Sequence, residues 1–422
     1  MRTYQVDERP PLLTTIPLSL QHLFAMFGST VLVPILFGVN PATILLMNGV
    51  GTLIYLVLCK GQIPAYLGSS FAFISPVTFV LADKGYNAAL GGFIAVGIIF
   101  VLIALLIHFV GTKWIDVVFP PAAMGAIVAV IGLELVPVAA GMAGLINPDP
   151  TKTWTPDSAT ITVSLLTLGI TIIGNVMFRG FLKIIPILIG IVSGYIIAYF
   201  YGLVDFQPVR DAKWFALPDF YQPEFDLASM AIIIPAALVV IAEHIGHLVV
   251  TENIVERDLM KKPGLGVSLL GNGISTVISG FVGSTPNTTY GENIGVLALT
   301  KVYSTWVIGG AAVMAIILSF VGKLAALIST IPTAVMGGIS LLLFGVIAVS
   351  GLRMLVESKV DYSKATNMIL TTVVLVIGLS GASLKFGENF VLKGMALATV
   401  VAILLSLFFT IIDKLKLSND YE

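Results

Sequence analysis

Apolar residues run along this chain in stretches of about 20 that are separated by short polar connections. An α-helix of that length can cross the hydrocarbon core of a bilayer. The pattern predicts twelve uninterrupted spans, near 16–37, 41–59, 88–110, 117–138, 160–178, 182–203, 229–251, 264–282, 303–325, 332–352, 366–383 and 391–412. Two further segments, 66–82 and 284–300, are apolar only in part, and we interpret each as a broken span that begins in extended chain. The prediction is an all-α polytopic membrane protein with 14 transmembrane segments.

The second broken span opens with a polar segment that Gly and Pro interrupt. Residues 283–295 read GSTPNTTYGENIG and lie between the apolar runs 267–282 and 302–318. Irregular polar backbone is tolerated at this depth only where protein buries it or where it lines a water-filled cavity. Because an ionisable residue inside a membrane indicates a functional site, we expect that site here.

Two short motifs recur about half a chain apart. PPAAMG at 120–125 recurs as PTAVMG at 332–337, and GSS at 68–70 recurs as GST at 283–285. With 14 spans, each repeat contains seven. Because seven is an odd number, the second repeat begins on the opposite side of the membrane and is inverted relative to the first. Inverted repeats with matching broken segments are typical of secondary transporters with a site at the midplane.

Composition agrees with a membrane protein and excludes other classes. Hydrophobic residues make up 57% of the chain and charged residues only 11%, against roughly 25% charged residues in soluble domains. A net charge of -1 leaves no basic footprint for nucleic acid, and the single Cys59 excludes a disulfide framework or a Cys-based metal site. The N-terminal segment does not have the pattern of a signal peptide, so we expect the first span to be retained.

Lys and Arg near span ends concentrate on the cytoplasmic side of membrane proteins. With the N-terminus inside, fifteen of the 22 basic residues, Arg2 among them, fall on the inner face, and the other seven, including Lys152, fall outside. The charge distribution therefore predicts that both termini are cytoplasmic.

Glu243 and His247 are the first chemically interesting pair. They are four residues apart in an otherwise apolar helix, which places them on one face within contact range, while His244 points about 100° away. Such a pair can share or pass a proton, or it can be a purely structural polar pair. Two His three apart could also chelate a metal, but no third soft ligand is evident and we expect no metal or cofactor.

Glu292 follows Gly291 where the half-helix of the second broken span should begin. Unpaired backbone N–H groups at a helix N-terminus would meet the Glu292 carboxylate there, which suits a planar neutral ligand with alternating N–H and C=O groups. Phe71 in the first broken span could stack on such a ring, or be an ordinary packing aromatic. Gln21 and His22, polar residues in the first span, could support the site or satisfy a nearby broken helix.

Several motifs together resemble the nucleobase-ascorbate transporter family. They are Gln21-His22, GSSFAF at 68–73, AEHIGH at 242–247 and the run from Glu292-Asn293 to Thr300-Lys301. The similarity extends nearly from end to end and is greatest to the uracil permeases of bacteria. Phe344 is a departure, because we expect Tyr at this position from that resemblance.

The resemblance implies a fold in addition to a function. It implies two inverted repeats of seven spans and short antiparallel strands in broken spans three and ten. It also implies a core domain made of 1–110 and 228–327, a gate domain made of 111–227 and 328–422, and a homodimer in the bacterial inner membrane. The implied activity is proton symport of uracil.

The same resemblance assigns roles to residues. It implies substrate contacts from Phe71, Glu243, Tyr290, Gly291 and Glu292, in which the two carboxylates accept from uracil N–H groups. It implies proton coupling by Glu243 and His247, with support from Gln21, His22 and Asn293.

Rival interpretations remain open at this stage. The nearest is the same transporter with a purine cargo such as xanthine, or with an anion, although two buried glutamates disfavour an anion. A membrane enzyme that uses Glu243 and His247 as acid and base lacks an activated nucleophile or metal set. A channel is disfavoured because a broken-helix site at mid-depth binds and occludes its ligand.

Overall fold

The structure is a computed structural model that describes residues 3–148, 151, 153–386 and 390–417. Arg2 and Lys152, which entered the count of basic residues, lie outside the described residues. Within these residues the chain is mostly helical.

The helices and strands of the first half occupy the following ranges: α1 (Leu12–Ala25), α2 (Phe27–Phe37), α3 (Pro41–Leu58), β1 (Leu67–Ser69), α4 (Ile74–Asp83), α5 (Tyr86–Val110), α6 (Lys113–Val118), α7 (Pro121–Glu134), α8 (Val136–Met142), α9 (Ser158–Met177), α10 (Pro186–Phe200) and α11 (Gln207–Asp211). The second half continues with these: α12 (Leu227–Ile233), α13 (Ala236–Val255), α14 (Leu265–Val282), β2 (Asn287–Thr289), α15 (Gly291–Thr300), α16 (Thr305–Ser319), α17 (Gly322–Ser329), α18 (Thr333–Glu357), α19 (Ala365–Leu379), β3 (Ser383–Phe386), β4 (Phe390–Lys393) and α20 (Gly394–Lys414).

The described residues contain nine helical segments that are long and apolar enough to cross a membrane, when helices that follow one another directly are joined. They are Leu12–Phe37, Pro41–Leu58, Tyr86–Val110, Pro121–Met142, Ser158–Met177, Leu227–Val255, Met260–Val282, Thr333–Glu357 and Gly394–Lys414. Four shorter apolar helical segments accompany them, at Phe71–Asp83, Pro186–Phe200, Thr305–Ser319 and Ala365–Leu379. The expectation of a helical polytopic membrane protein is confirmed at this level.

Two span boundaries differ from those that the hydrophobic pattern predicts. The segment predicted as one span over 303–325 ends at Ser319, and α17 follows as a separate helix. The backbone turns there because Phe215, from a distant loop, forms an antiparallel bridge with Val321. Near the C-terminus, the apolar residues that precede α20 form the hairpin of β3 and β4 rather than helix.

Strands β1 and β2 satisfy the backbone of the two broken spans. They pair antiparallel, with Leu67 opposite Thr289 and Ser69 opposite Asn287, and both strands are fully buried. Backbone polar groups in a bilayer must find partners inside the protein, because hydrocarbon supplies none. Each broken span therefore completes the hydrogen bonding of the other in mid-protein.

The buried side chain of Asn287 anchors this strand pair to the helices around it. Its Nδ2 donates to the Met47 carbonyl of α3 at 2.9 Å and to the hydroxyls of Ser275 and Ser279 on α14 at 2.8 and 3.0 Å. The amide packs against Gly51, where a Cβ atom would lie 2.4 Å from Nδ2. This position in α3 accordingly requires a residue without a side chain.

Pairs of glycines allow the longest helices to approach closely. A Cβ on Gly273 of α14 would lie 3.0 Å from the Gly97 carbonyl of α5, and a Cβ on Gly351 of α18 would lie 2.5 Å from the Gly125 carbonyl of α7. Small residues at such crossings let backbones touch, which is a main source of helix association in membranes. The two crossings pack α5 closely against α14 and α7 closely against α18.

We expect Asn287→Ala to lower the thermal stability of the purified protein. The substitution removes three hydrogen bonds in a site that excludes water, and a loss of this kind costs about 1–3 kcal/mol for each group left unpaired. The measurement is the unfolding midpoint in detergent. Thr372→Ala is the control, because that exposed hydroxyl bonds only to its own helix and its removal should change stability by no more than about 0.5 kcal/mol. Equal midpoints for the two variants would contradict the anchoring role.

Candidate functional site

A cavity of about 270 Å³ lies where the broken spans meet α7, α13 and α18. This volume is close to the lower end of the roughly 300–1,000 Å³ range of small-molecule sites. Much of the polar lining comes from the two broken spans and α13, whereas α7 contributes Val128 and α18 contributes both apolar and polar residues. The main lining residues are Ser69, Ser70, Phe71, Val128, Glu243, His247, Thr288, Thr289, Tyr290, Gly291, Glu292, Val346, Ile347 and Ser350.

Two helix N-termini point into this region because the strands precede them. Immediately after β1, the chain turns into a short 3-10 helix that begins at Phe71 and continues as α4. Immediately after β2, α15 begins at Gly291. Both helices begin at the site, so the positive ends of their dipoles and the N–H groups of their first turns lie there.

Glu243 and Glu292 both line the cavity, although they lie on different elements. Ser70 donates a hydrogen bond from Oγ to Glu243 Oε2 at 3.3 Å, and the Ser70 hydroxyl also accepts from the Ala72 backbone N–H at 3.3 Å. Glu292 lies in the first turn of α15, where a carboxylate is stabilised by the helix dipole. The cavity thus combines two carboxylate acceptors with backbone donors.

Gly291 brings the backbone of α15 close to His247. A Cβ atom at Gly291 would lie 3.1 Å from His247 Nε2, which is tighter than ordinary van der Waals contact. The imidazole therefore reaches the wall of the cavity next to Glu292. Glu243 and His247 both line the cavity, one helical turn apart, as their spacing indicates.

Thr289 links the two histidines of α13. Its Oγ1 lies 3.0 Å from His244 Nδ1 and 3.2 Å from His247 Nδ1. His244 Nδ1 also lies 3.0 Å from Asn272 Nδ2, and His244 Nε2 lies 2.9 Å from Ser268 Oγ. If the Thr289 hydroxyl donates to His244, then His247 Nδ1–H donates to Thr289 and leaves Nε2 able to accept a proton at the cavity.

Aromatic rings form the apolar wall of the site. Phe71 and Tyr290 line the cavity with ring centroids 6.4 Å apart, and Phe344 packs edge-on against Phe71 at 5.8 Å. The Tyr290 ring lies directly over Gly68, where a Cβ would approach it to 2.8 Å. Phe344 is fully buried behind Phe71, so the residue that departs from the family resemblance supports the ring of Phe71 and does not itself line the cavity.

Gln21, His22 and Asn293 do not line the cavity. Asn293 Nδ2 donates to the His22 carbonyl at 3.0 Å and lies 3.2 Å from His22 Nδ1. These contacts tie the first turn of α15 to α1 and so hold the helix that carries Glu292. Gln21 precedes His22 in α1 and is likewise buried.

Glu134, to which the sequence assigned no role, joins three elements. Its Oε2 accepts from the Met395 backbone N–H at the start of α20 at 2.7 Å, and its Oε1 accepts from Ser75 Oγ of α4 at 3.1 Å. The carboxylate of α7 thereby caps α20 and contacts a broken span. The sequence alone could not reveal this role, because its partners are 59 and 261 residues away.

Sequence reasoning also missed Ser70 and Thr289 as members of the site. Ser70 precedes the half-helix, and a hydroxyl at a helix start is an ordinary capping signal. Nothing in the local sequence indicates that the same hydroxyl reaches Glu243, 173 residues away. Thr288 and Thr289 are neighbours in β2, and their side chains point to opposite faces of the strand. Only the pairing of β2 with β1 decides which of the two faces the histidines.

A helical membrane protein with two broken spans that meet at a polar cavity has the architecture of a transporter. The chain belongs to the Permease family, whose sequence profile matches residues 13–386. It is accordingly a transporter and not an enzyme, and the resemblance to nucleobase transporters is confirmed.

Named relatives match almost the whole chain. It is 71% identical over 419 residues to the protein named uracil permease of Paenibacillus larvae subsp. larvae, covering 99% of both chains. It is 65% identical over 415 residues to the uracil permease of Escherichia coli strain K12, covering 98% of this chain and 96% of the relative.

A solved structure shares the fold at low identity. The transmembrane domain of the cyanobacterial bicarbonate transporter BicA superposes with a TM-score of 0.63 at 18% identity, over 97% of this chain and 98% of that domain. This likeness shows the fold alone.

Labelling with a membrane-impermeant maleimide tests whether the cavity holds water. Ser350 lines the cavity, whereas its neighbour Val349 is 60% exposed on the outside of the helix bundle, where the bilayer should surround it. We expect Ser350→Cys to react and Val349→Cys to stay unlabelled in native membranes with permeabilised vesicles, because thiolate formation needs water. The single natural cysteine, Cys59, is fully buried and gives a low background. The opposite labelling pattern would contradict the position of the cavity.

Proposed function

We propose that this chain carries uracil across the bacterial inner membrane into the cell together with protons. The observation that carries the proposal is the convergence of Glu243, Glu292 and two helix N-termini on one cavity. The two relatives described above, both named uracil permease, support the choice of cargo.

The donor and acceptor pattern suits a neutral pyrimidine better than an anion. Uracil presents ring N–H groups that a carboxylate can accept, and carbonyl oxygens that backbone N–H groups at a helix start can reach. An anion would instead have to enter a cavity that already holds two carboxyl groups, which is unfavourable in a site of low dielectric. Phe71 is placed to pack on the ring face of a bound base.

Fourteen spans in two inverted repeats of seven form the architecture that we propose. The nine long apolar segments, the four shorter ones and α15 together make fourteen. The elements correspond in order, since α3, α5, α7 and α9 of the first half match α14, α16, α18 and α19 of the second. Helix contacts support this match, because the packing of α5 on α14 is mirrored by α3 on α16, and that of α9 on α18 by α7 on α19.

Alternating access would follow from movement between two domains. We assign 1–110 and 228–327 to a core that carries the ligand contacts, and 111–227 and 328–422 to a gate that closes over them. The lining of the cavity supports this division, because Glu243 and Glu292 would belong to the core and Val128 and Val346 to the gate. It extends along α18 to Arg353 and Glu357, which are paired at 2.6 Å near the exposed end of the helix. With cytoplasmic termini this end faces the cell interior, so the conformation is open to the inside.

Proton coupling would use the Glu243 and His247 pair. On the outer side, where protons are more available, a proton on this pair would allow neutral uracil to bind beside it. Loss of the proton on the inner side would leave a charged group in the cavity and favour release. Thr289 holds His247 with Nε2 directed towards Gly291, where the proton can pass.

Glu243→Gln and Glu292→Gln should each abolish uptake of labelled uracil. A Gln keeps the size of the side chain but replaces one acceptor oxygen with an N–H₂ group that would face a ligand N–H. We expect a loss of about 10- to 100-fold, because a hydrogen bond to a charged group contributes about 1.5–3 kcal/mol. Glu357→Gln is the matched control at the cavity mouth and should retain uptake. Full uptake by Glu292→Gln would refute the assignment of the site.

His247→Leu should uncouple transport from the proton gradient. Since the ligand contacts remain, exchange of labelled for unlabelled uracil across proteoliposomes should continue, while accumulation driven by an inward proton gradient should fall. Accumulation equal to that of the natural chain would contradict the coupling role.

The proposed function as a whole is tested by uptake into proteoliposomes with and without an inward proton gradient. We expect chemically unchanged uracil to accumulate and an uncoupler to abolish the accumulation. Uptake of xanthine but not of uracil would contradict uracil as the substrate and would not contradict the proposed architecture.

A further inference from the structure

A second cavity of about 520 Å³ lies at one membrane interface, away from the ligand site. It is a groove between the N-terminus of α1, the C-terminus of α3 and the N-terminus of α16, and we call it the interfacial groove. Its walls are mostly apolar and include Leu12, Leu53, Leu56, Val57, Trp306, Gly309 and Val313. Leu12 and Val57 are 69% and 76% exposed on the protein surface, so they face the bilayer.

Two cations stand at the polar end of this groove. Arg9 precedes α1 and lies over the Trp306 ring, 4.7 Å from its centroid, and Lys60 follows α3 directly. No carboxylate lines the groove within the described residues. The nearest acidic residues along the chain are engaged elsewhere, since Asp7 pairs with Arg257 at 2.7 Å and Glu8 accepts from the Gln5 backbone N–H at 2.9 Å.

Hydrogen bonds fix the backbone of the two segments that carry these cations. Thr305 Oγ1, at the start of α16, lies 3.1 Å from the Val6 carbonyl and 3.2 Å from the Gly61 carbonyl. It thereby joins the segment that leads to Arg9 with the turn that contains Lys60. Ser304 Oγ adds a bond to the Glu8 carbonyl at 2.6 Å. The backbone around the polar end of the groove is therefore preorganised, which lowers the cost of binding a ligand there.

We propose that the interfacial groove binds an anionic phospholipid. The phosphate would lie between Arg9 and Lys60, and one acyl chain would lie along the wall formed by Val57, Trp306 and Val313. Basic pockets between transmembrane helices at an interface recognise such headgroups by charge, and a Trp at this depth places its apolar ring against lipid. Because an exposed apolar wall continues from the two cations towards the bilayer, the groove suits a lipid with an acyl chain better than a free anion.

Quenching of Trp306 by brominated lipids tests this site directly. The protein would carry Trp114→Phe, Trp154→Phe and Trp214→Phe, so that Trp306 is its only tryptophan, and it would be reconstituted with brominated phosphatidylglycerol or brominated phosphatidylcholine. We expect the anionic lipid to bind about 25-fold more strongly than the zwitterionic lipid, because each of the two cations contributes about five-fold. Arg9→Gln together with Lys60→Gln should bring the ratio close to one.

Two further variants separate the site from general effects. Lys262→Gln removes an exposed cation outside the groove and should leave the ratio unchanged. Gly309→Leu should fill the groove, because a Cβ there meets only Leu56 Cδ1 at 3.7 Å, and it should reduce quenching by both lipids. Equal quenching of the unsubstituted groove by the two lipids, or an equal loss of preference in Lys262→Gln, would overturn the proposal. Unchanged quenching in Gly309→Leu would overturn the placement of the acyl chain.

Discussion

The pairing of β1 with β2 is the interaction on which the rest of this structure depends. Two spans are broken near the middle of the protein, where hydrocarbon offers no hydrogen bonds to an open backbone. The strands solve this by bonding to each other, with Ser69 opposite Asn287, and the Asn287 amide then fastens them to α3 and α14. Without this pairing, the backbone that precedes each half-helix would lack hydrogen-bond partners, and the two helices could not begin inside the protein.

The chemistry of the site follows from that backbone arrangement. Because helices begin at Phe71 and at Gly291 beside the same cavity, backbone N–H groups lie at two helix starts there. Glu243 and His247 add a carboxylate and an imidazole from one face of α13. The remaining polar residues hold these groups in position: His244 is fixed by Ser268 and Asn272, and Asn293 binds α15 to α1. Across the cavity, α7 and α18 contribute the apolar side chains of Val128, Val346 and Ile347, and the polar residues of α18 lie further along that helix, from Ser350 to Glu357.

The sequence predicted those features that depend on local pattern and length. The apolar runs predicted a helical polytopic protein, and the polar interruptions at 66–82 and 284–300 marked the segments that contain the two strands and line the cavity. The spacing of Glu243 and His247 predicted a shared helix face. Contacts between distant residues could not be predicted in this way. Ser70 reaches Glu243, Thr289 joins two histidines, and Phe215 interrupts the helix near Val321, because each contact depends on how separate elements pack. The hairpin of β3 and β4 could not be predicted either, because its apolar residues continue the apolar runs of the neighbouring helices.

The central claim is that carboxylates in this cavity accept hydrogen bonds from the ring N–H groups of a neutral pyrimidine. The most direct measurement is equilibrium competition of labelled uracil by uracil, 1-methyluracil, 3-methyluracil and 1,3-dimethyluracil on the purified protein. Each methyl group removes one N–H donor and leaves a carboxylate without its partner, so each monomethyl compound should bind at least about tenfold more weakly than uracil, and the dimethyl compound more weakly still. Binding of 1,3-dimethyluracil as tightly as uracil would contradict the account, because the site would then recognise the ring without using the two carboxylates.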